Sequence, residues 1–118
     1  MDKLLVIIPA HNAGQFIKNT IQSILDQSVD LKLVIVDDAS TDGTWEWIQN
    51  YAESKSNIIT YRNGGPDRVG HTVLYDIGFQ LAKTPVVSIL HSDMIVTQNY
   101  VGNMLKYLTP LSVVSATR

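Results

Sequence analysis

The sequence contains no cysteine, so disulfides and thiolate metal sites are excluded, and a reducing, cytoplasmic setting is expected. It also lacks an excess of basic charge. Nine Lys and Arg stand against 11 Asp and Glu, a formal net charge of -2. Bulk attraction to nucleic acid or to an anionic membrane surface is therefore not expected, and any anion must be held by local groups. Long apolar runs are missing too. The opening "MDKLLVIIPAHN" has one short run, Leu4 to Ile8, that stops at Pro9, too short for a signal-peptide core or a membrane span. Low-complexity stretches, internal repeats and linkers are likewise absent, and 118 residues with 45% hydrophobic content suit a single folded domain over 1–118.

What is present is an alternation of short apolar runs with stretches of helical period. Strands are expected at Leu4–Ile8, Leu31–Val36, Asn57–Tyr61, Val86–Leu90 and Leu111–Ser115. Runs that are apolar at every position belong to strands covered on both faces, as in a parallel sheet between helices. Helices are expected at about Gly14–Gln27, Asp42–Glu53, His71–Ala82 and Gln98–Leu108. Their inward stripes are Ile17, Ile21, Ile24 and Leu25; then Trp45, Ile48, Tyr51 and Ala52; then Leu74, Ile77 and Leu81; then Val101, Met104, Leu105 and Leu108. This order predicts an α/β fold, a doubly wound, mainly parallel sheet with right-handed crossovers.

In such sheets ligands sit beyond the carboxyl ends of the strands. The loops there are "PAHNAG", "DDASTDGT", "RNGGPDRVG" and "HSDMIVTQN", all polar, acidic or glycine-containing, whereas opposite-end connections such as "KTP" are short and plain. A dinucleotide fold needs G-x-G-x-x-G after the first strand, and "PAHNAGQF" has one glycine, Gly14. A phosphorylation receiver needs its acidic pair after the first strand, but Asp37 and Asp38 follow the second. Read locally, "VIVDDASTDGT" is also compatible with a plain strand-to-helix turn in which Ser40 or Thr41 caps the helix and Gly43 makes the turn.

The whole set of motifs resembles the nucleotide-sugar half of family 2 glycosyltransferases, which have the GT-A fold. "VIIPAHN" is similar to that family's opening strand and P-x-x-N turn, and "IQSILDQS" to the helix after it. "VIVDDASTDGT" matches the D-D-x-S-x-D-x-T signature at each defining position. "GHTVLYDIG" resembles the helix G-x-x-x-A-R-N-x-G, with Leu74, Tyr75 and Asp76 in place of Ala, Arg and Asn. "VVSILHSDMIV" stands where the family's strand ends in D-x-D, with His91 at the first acidic position.

The resemblance implies that Asp38 accepts a hydrogen bond from a ring N–H of the base, with Asp37 holding the loop. It implies nucleotide contacts from the turn at Pro9, Ala10 and Asn12, largely through backbone groups; Asn12 is equally readable as the cap of the first helix. Arg68 could reach base or phosphate or be a solvated surface residue, and Gly70 would allow close backbone approach. Asp93 would bind a divalent cation, Mn²⁺ or Mg²⁺, on the donor diphosphate. His91 has three readings: a second ligand, a hydrogen-bond partner of the ribose, or a packed histidine. His71 has no partner motif.

The function implied is inverting transfer of sugar from a nucleotide-diphospho-sugar, UDP-linked by preference, to the hydroxyl of a saccharide, lipid or protein. The alternative is a nucleotide- or sugar-binding module without catalysis. No nucleic-acid partner is expected. The general base is not identified among Asp2, Asp30, Glu53, Asp67 and Asp76. The expectation is therefore an N-terminal part of a longer enzyme, inactive alone, able to self-associate, and stationed in the cytoplasm or at a membrane's cytoplasmic face through further segments.

Overall fold

Each half of the sheet is dictated by the alternation of side chains along its strands. The computed structural model describes residues 4–27 and 29–109. In chain order these form β1 (Leu4–Ala10), α1 (Phe16–Leu25), β2 (Leu31–Asp38), α2 (Thr44–Ala52), β3 (Ile58–Asn63), α3 (His71–Leu81), β4 (Val86–Ile89) and α4 (Tyr100–Tyr107). The strand expected at Leu111–Ser115 lies outside the described residues. The four strands are ordered β3-β2-β1-β4, and every pairing is parallel.

Successive residues of a strand point to opposite faces. Leu4, Val6, Ile8 and Ala10 of β1 join Leu31, Leu33 and Ile35 of β2 under α1, α2 and α4, with Ile17, Ile21, Ile24, Ile48 and Val101. Leu5, Ile7, Val34 and Val36 face the other way and pack on Leu74 of α3. Both faces of the inner strands are thereby buried, which is why their sequences are apolar throughout. α3 departs from its expected stripe: Leu81 is 36% exposed, and Gly78 takes the inward position instead. A Cβ at Gly78 would stand 2.6 Å from Ile7 Cδ1 and 2.9 Å from its Cγ2, so the glycine sets how closely α3 lies on β1.

Gly78→Ala is expected to cost about 1–3 kcal/mol of overpacking, offset by at most about 1 kcal/mol of helix propensity. An unchanged urea midpoint would show that α3 has room to move away from Ile7.

Chain order and strand order together create the opening at the carboxyl edge. From β1 the chain moves outward through β2 to β3, then returns across the other face through α3 to β4, on the far side of β1. The reversal falls between β1 and β4, where a doubly wound sheet opens a crevice. The last β1–β4 pair is Ile7 with Ile89, and Leu90 N–H still donates to Ile7 O at 2.9 Å. Pro9, two residues further, faces the same side, where β4 has diverged and a missing N–H leaves no partner unpaired. Among the described residues no helix is long and apolar enough to cross a membrane.

Candidate functional site

Asp37 and Asp38 tolerate adjacency because strand parity sends them to opposite faces. Asp37 continues the Leu33–Ile35 side toward α2. Its Oδ1 accepts Ser40 Oγ–H at 2.5 Å and its Oδ2 accepts Ser40 N–H at 3.1 Å, with Arg62 Nε 3.8 Å from Oδ2. Asp37 thus holds the loop. Ser40 is committed to that carboxylate, so neither it nor Thr41 caps the next helix. The N-cap is Gly43, without a side-chain cap, and the Oδ1 of Asp42 before it accepts both the N–H and the hydroxyl of Thr44, the first residue of α2. The Thr44 hydroxyl bond, ahead of burial, which opposes it, holds the Asp42 carboxyl below its usual range, helped by the Thr44 N–H and by His11. Gly43, at φ 92°, makes the turn into α2.

Asp38 continues the Val34–Val36 side toward α3. The carboxylate is fully buried. Its Oδ1 accepts Asn63 Nδ2–H at 2.8 Å and Val69 N–H at 2.9 Å; its Oδ2 accepts Gly70 N–H at 3.0 Å. Arg68 Nε stands 3.6 Å from Oδ2 on a side chain that is 50% exposed. Burial pushes the Asp38 carboxyl up, but the donors Asn63, Val69 and Gly70 and the Arg68 charge outweigh it, and the net shift is downward. A carboxylate has about four acceptor positions. Three are filled by Asn63 at the end of β3 and by Val69 and Gly70 of the loop before α3, and the one left on Oδ2 faces Arg68.

The turn after β1 is sewn to the turn after β2. Asn12 N–H donates to Ser40 Oγ at 2.9 Å, and Asn12 Oδ1 accepts Thr41 N–H at 2.8 Å. Asn12 therefore does not cap α1, which begins after Gln15 with no side-chain cap. Gly14 N–H reaches Thr44 Oγ1 at 3.1 Å, and the His11 ring contacts Asp38 O at 2.5 Å through Nδ1. Two residues of these turns carry positive φ without being glycine, Asn12 at 45° and Ala39 at 55°. Such backbone costs energy and persists where the surrounding bonds over-determine it. Pro9 and Ala10 are buried in β1, Ala10 opposite Asp37.

The loop after β4 is carried by α1. Thr20 Oγ1–H donates to Ser92 O at 2.8 Å, and Ser23 Oγ accepts Val96 N–H at 3.1 Å. Gln27 Nε2–H donates to Thr97 O at 2.8 Å, while its Oε1 accepts Val101 N–H at 3.0 Å. Thr20 and Gln27 are buried. No motif in the sequence marks these supports; their signal is polar residues interleaved with the buried Ile17, Ile21 and Ile24. On the loop they hold, His91 and Asp93 are exposed, and Asp93 makes no ion pair among the described residues. No three His, Cys, Asp or Glu side chains gather there or elsewhere among the described residues. This donor set, one imidazole and one free carboxylate, fits a cation that takes its other ligands from a bound diphosphate and water. It does not fit a cation caged by protein alone.

The expected residues thus lie along one carboxyl edge, Asp38, Arg68 and Gly70 by β2 and α3, Pro9, Ala10 and Asn12 on the β1 turn, and His91 and Asp93 after β4, with the His71 ring next to Gly70 5.6 Å from that of His91. A separate groove lined by Gln49, Asn50, Ala52, Glu53, Ile58 and Thr60 lies against α2 and contains none of them.

Known proteins resemble this chain in sequence or in fold. The glycosyltransferase TuaG of Bacillus subtilis is 36% identical over 90 residues, 75% of this chain and 34% of its own length. WfaP of Escherichia coli, a UDP-Glc:alpha-D-GlcNAc-diphosphoundecaprenol beta-1,3-glucosyltransferase, is 28% identical over 109 residues, 92% of this chain and 42% of its own. The mannosyltransferase PcManGT of Pyrobaculum calidifontis, solved with GDP-Man and Mn²⁺, superimposes with a TM-score of 0.77 at 25% identity, covering 89% of this chain and 32% of that one. The fold is accordingly GT-A. The chain spans about a third of the length of the first of these relatives. The family model for glycosyl transferase family 2 matches residues 5–117, nearly the whole chain, and the chain therefore belongs to glycosyl transferase family 2.

Proposed function

We propose that these residues form the donor-binding part of an inverting glycosyltransferase that takes a nucleotide-diphospho-sugar, UDP-linked by preference, with Mn²⁺ or Mg²⁺. The observation that carries the reading is the position of Asp38, at the end of β2, and Asp93, after β4, along one carboxyl edge on either side of β1. WfaP supports a uridine donor by its name, and PcManGT supports the metal by its bound Mn²⁺.

In this reading the base N–H takes the remaining acceptor position on Asp38 Oδ2. Arg68, half exposed, swings from that position onto the base or a phosphate. The β1 turn at Pro9, Ala10 and Asn12 lines the base and ribose, and Gly70 lets the backbone approach. The first turn of α3 presents helix N-terminal N–H groups to the diphosphate. Asp93 and His91 would hold the cation; when bound, it offsets charge developing on the leaving diphosphate. An acceptor hydroxyl then attacks the anomeric carbon from the opposite side, which inverts its configuration, and a base takes the hydroxyl proton. That base we assign to the portion of the longer relatives that this chain does not span. Asp76 lies on α3, Glu53 directly follows α2, and Asp67 lies in the nucleotide loop.

The test is a transfer assay with a panel of UDP- and GDP-sugars, comparing the 118 residues with a version extended to the relatives' length. Transfer is expected from the extended protein and none from the 118 residues. Nucleotide binding without turnover by the extended protein would favour a binding module; sustained transfer by the 118 residues would place the base among the carboxylates present.

A further inference from the structure

The β1 turn and the end of β2 are joined through one half-buried imidazole, His11, whose proton can be placed. Leu33 and Ala39 N–H donate to Asn57 and Asn63 O on the β3 side, so Asp38, of the other parity, turns its carbonyl toward β1. No ladder bond meets it there. The β1–β2 register ends with Ala10 opposite Asp37, and Asn12 N–H, which would reach that carbonyl if the ladder continued, goes to Ser40 Oγ at 2.9 Å. The His11 ring takes the place. Its Nδ1 stands 2.5 Å from Asp38 O, and a carbonyl only accepts, so Nδ1 carries the proton. The far side of the ring agrees. Thr41 N–H donates to Asn12 Oδ1 at 2.8 Å, which orients the amide so that Asn12 Nδ2–H donates to His11 Nε2 at 3.3 Å. Nε2 therefore accepts and bears no proton.

Resting on the nucleotide reading above, we propose that His11 is a positioning residue for the base reader Asp38, held as the neutral Nδ1–H tautomer in a relay from Thr41 through Asn12 to the Asp38 carbonyl. The relay restrains the two strained residues of these turns, Asn12 at φ 45° directly and Ala39 at φ 55° through the carbonyl before it. Both turns are set together. Three acceptor positions of the Asp38 carboxylate are already filled, so a shift of its backbone would turn the remaining one away from a base N–H. Fixing it beforehand saves that cost on binding. Neutral imidazole suits the task because it donates from one nitrogen and accepts at the other. Phe would fill the space and make neither bond, whereas Asn would keep a donor near Nδ1 and lose the acceptor that meets Asn12.

The test pairs long-range proton–nitrogen NMR of the imidazoles in the wild-type chain, in mildly alkaline buffer, with UDP titrations in Mn²⁺. The variants are His11→Phe, His11→Asn, Asp38→Asn and the double variant, with folding checked by circular dichroism. His11 should show Nδ1 protonated and Nε2 bare, the reverse of the tautomer that a free histidine side chain favours. His11→Phe should weaken UDP binding by about three- to tenfold, the worth of one hydrogen bond, and His11→Asn by less. In the Asp38→Asn background His11→Phe should cost little more, because the two act as one unit. A protonated Nε2 in the wild type would overturn the relay, whether or not the variants fold. Unchanged UDP affinity in His11→Phe, or its full cost retained beside Asp38→Asn, would show that His11 does not act through Asp38 while the nucleotide reading stands. If the wild type binds no UDP, the nucleotide reading falls and the positioning role with it.

Discussion

Asp38→Asn is expected to weaken both uridine nucleotide binding and the fold around α3. The substitution keeps the size but puts an amide N–H₂ where Oδ2 now accepts Gly70 N–H and faces Arg68. A donor would then oppose a donor in a buried position, at a cost of about 1–3 kcal/mol in stability. Loss of the charge-assisted acceptor should lower UDP affinity by a similar amount. The pH dependence distinguishes the charge from the packing. The folded-state pKa of Asp38 is depressed, so its contribution is complete above the ordinary carboxyl value of about 4 and is lost as pH falls through the lower folded value. The stability gap between wild type and Asp38→Asn should therefore narrow in acid. A gap that stays constant to pH 2 would assign the effect to packing, and unaltered UDP affinity would remove Asp38 from the nucleotide site.

Asp93→Ala should abolish metal-dependent nucleotide binding and leave the fold intact. The carboxylate is exposed and holds no ion pair among the described residues, so its removal costs the loop nothing in stability. The loop stays pinned by Thr20, Ser23 and Gln27. His91→Asp differs in kind, because a second hard oxygen donor shifts preference from Mn²⁺ toward Mg²⁺ without ending binding. Calorimetry of each variant with UDP and either ion reads both effects. Full Mn²⁺-dependent affinity in Asp93→Ala would exclude that carboxylate as a ligand.

The strands were legible because the sheet buries both of its faces, and runs such as Leu4–Ile8 are apolar at every position. Their ends were less so. β1 runs on through Pro9 and Ala10, and β2 through Asp37 and Asp38, since backbone pairing continues after apolar character stops. Asn12 reads as a helix cap from its type and place, yet its partners Ser40 and Thr41 arrive from another turn. The same holds for Ser40, which the sequence offers as a cap and Asp37 claims. Leu81 fits a helical stripe but is exposed at the end of α3, where Gly78 takes the inward position. His71 has no local motif; its relation to His91 depends on which face β4 turns toward α3. Local pattern thus marks elements and candidate residues, and contacts between distant turns decide what those residues do.

The central claim is that the carboxyl edge binds a nucleotide diphosphate through a divalent cation. Titration calorimetry of the 118-residue chain with UDP, in Mn²⁺ and then in excess chelator, tests it most directly. Saturable binding in Mn²⁺ that disappears with chelator is the predicted result; equal binding in both conditions, or none in either, would contradict it.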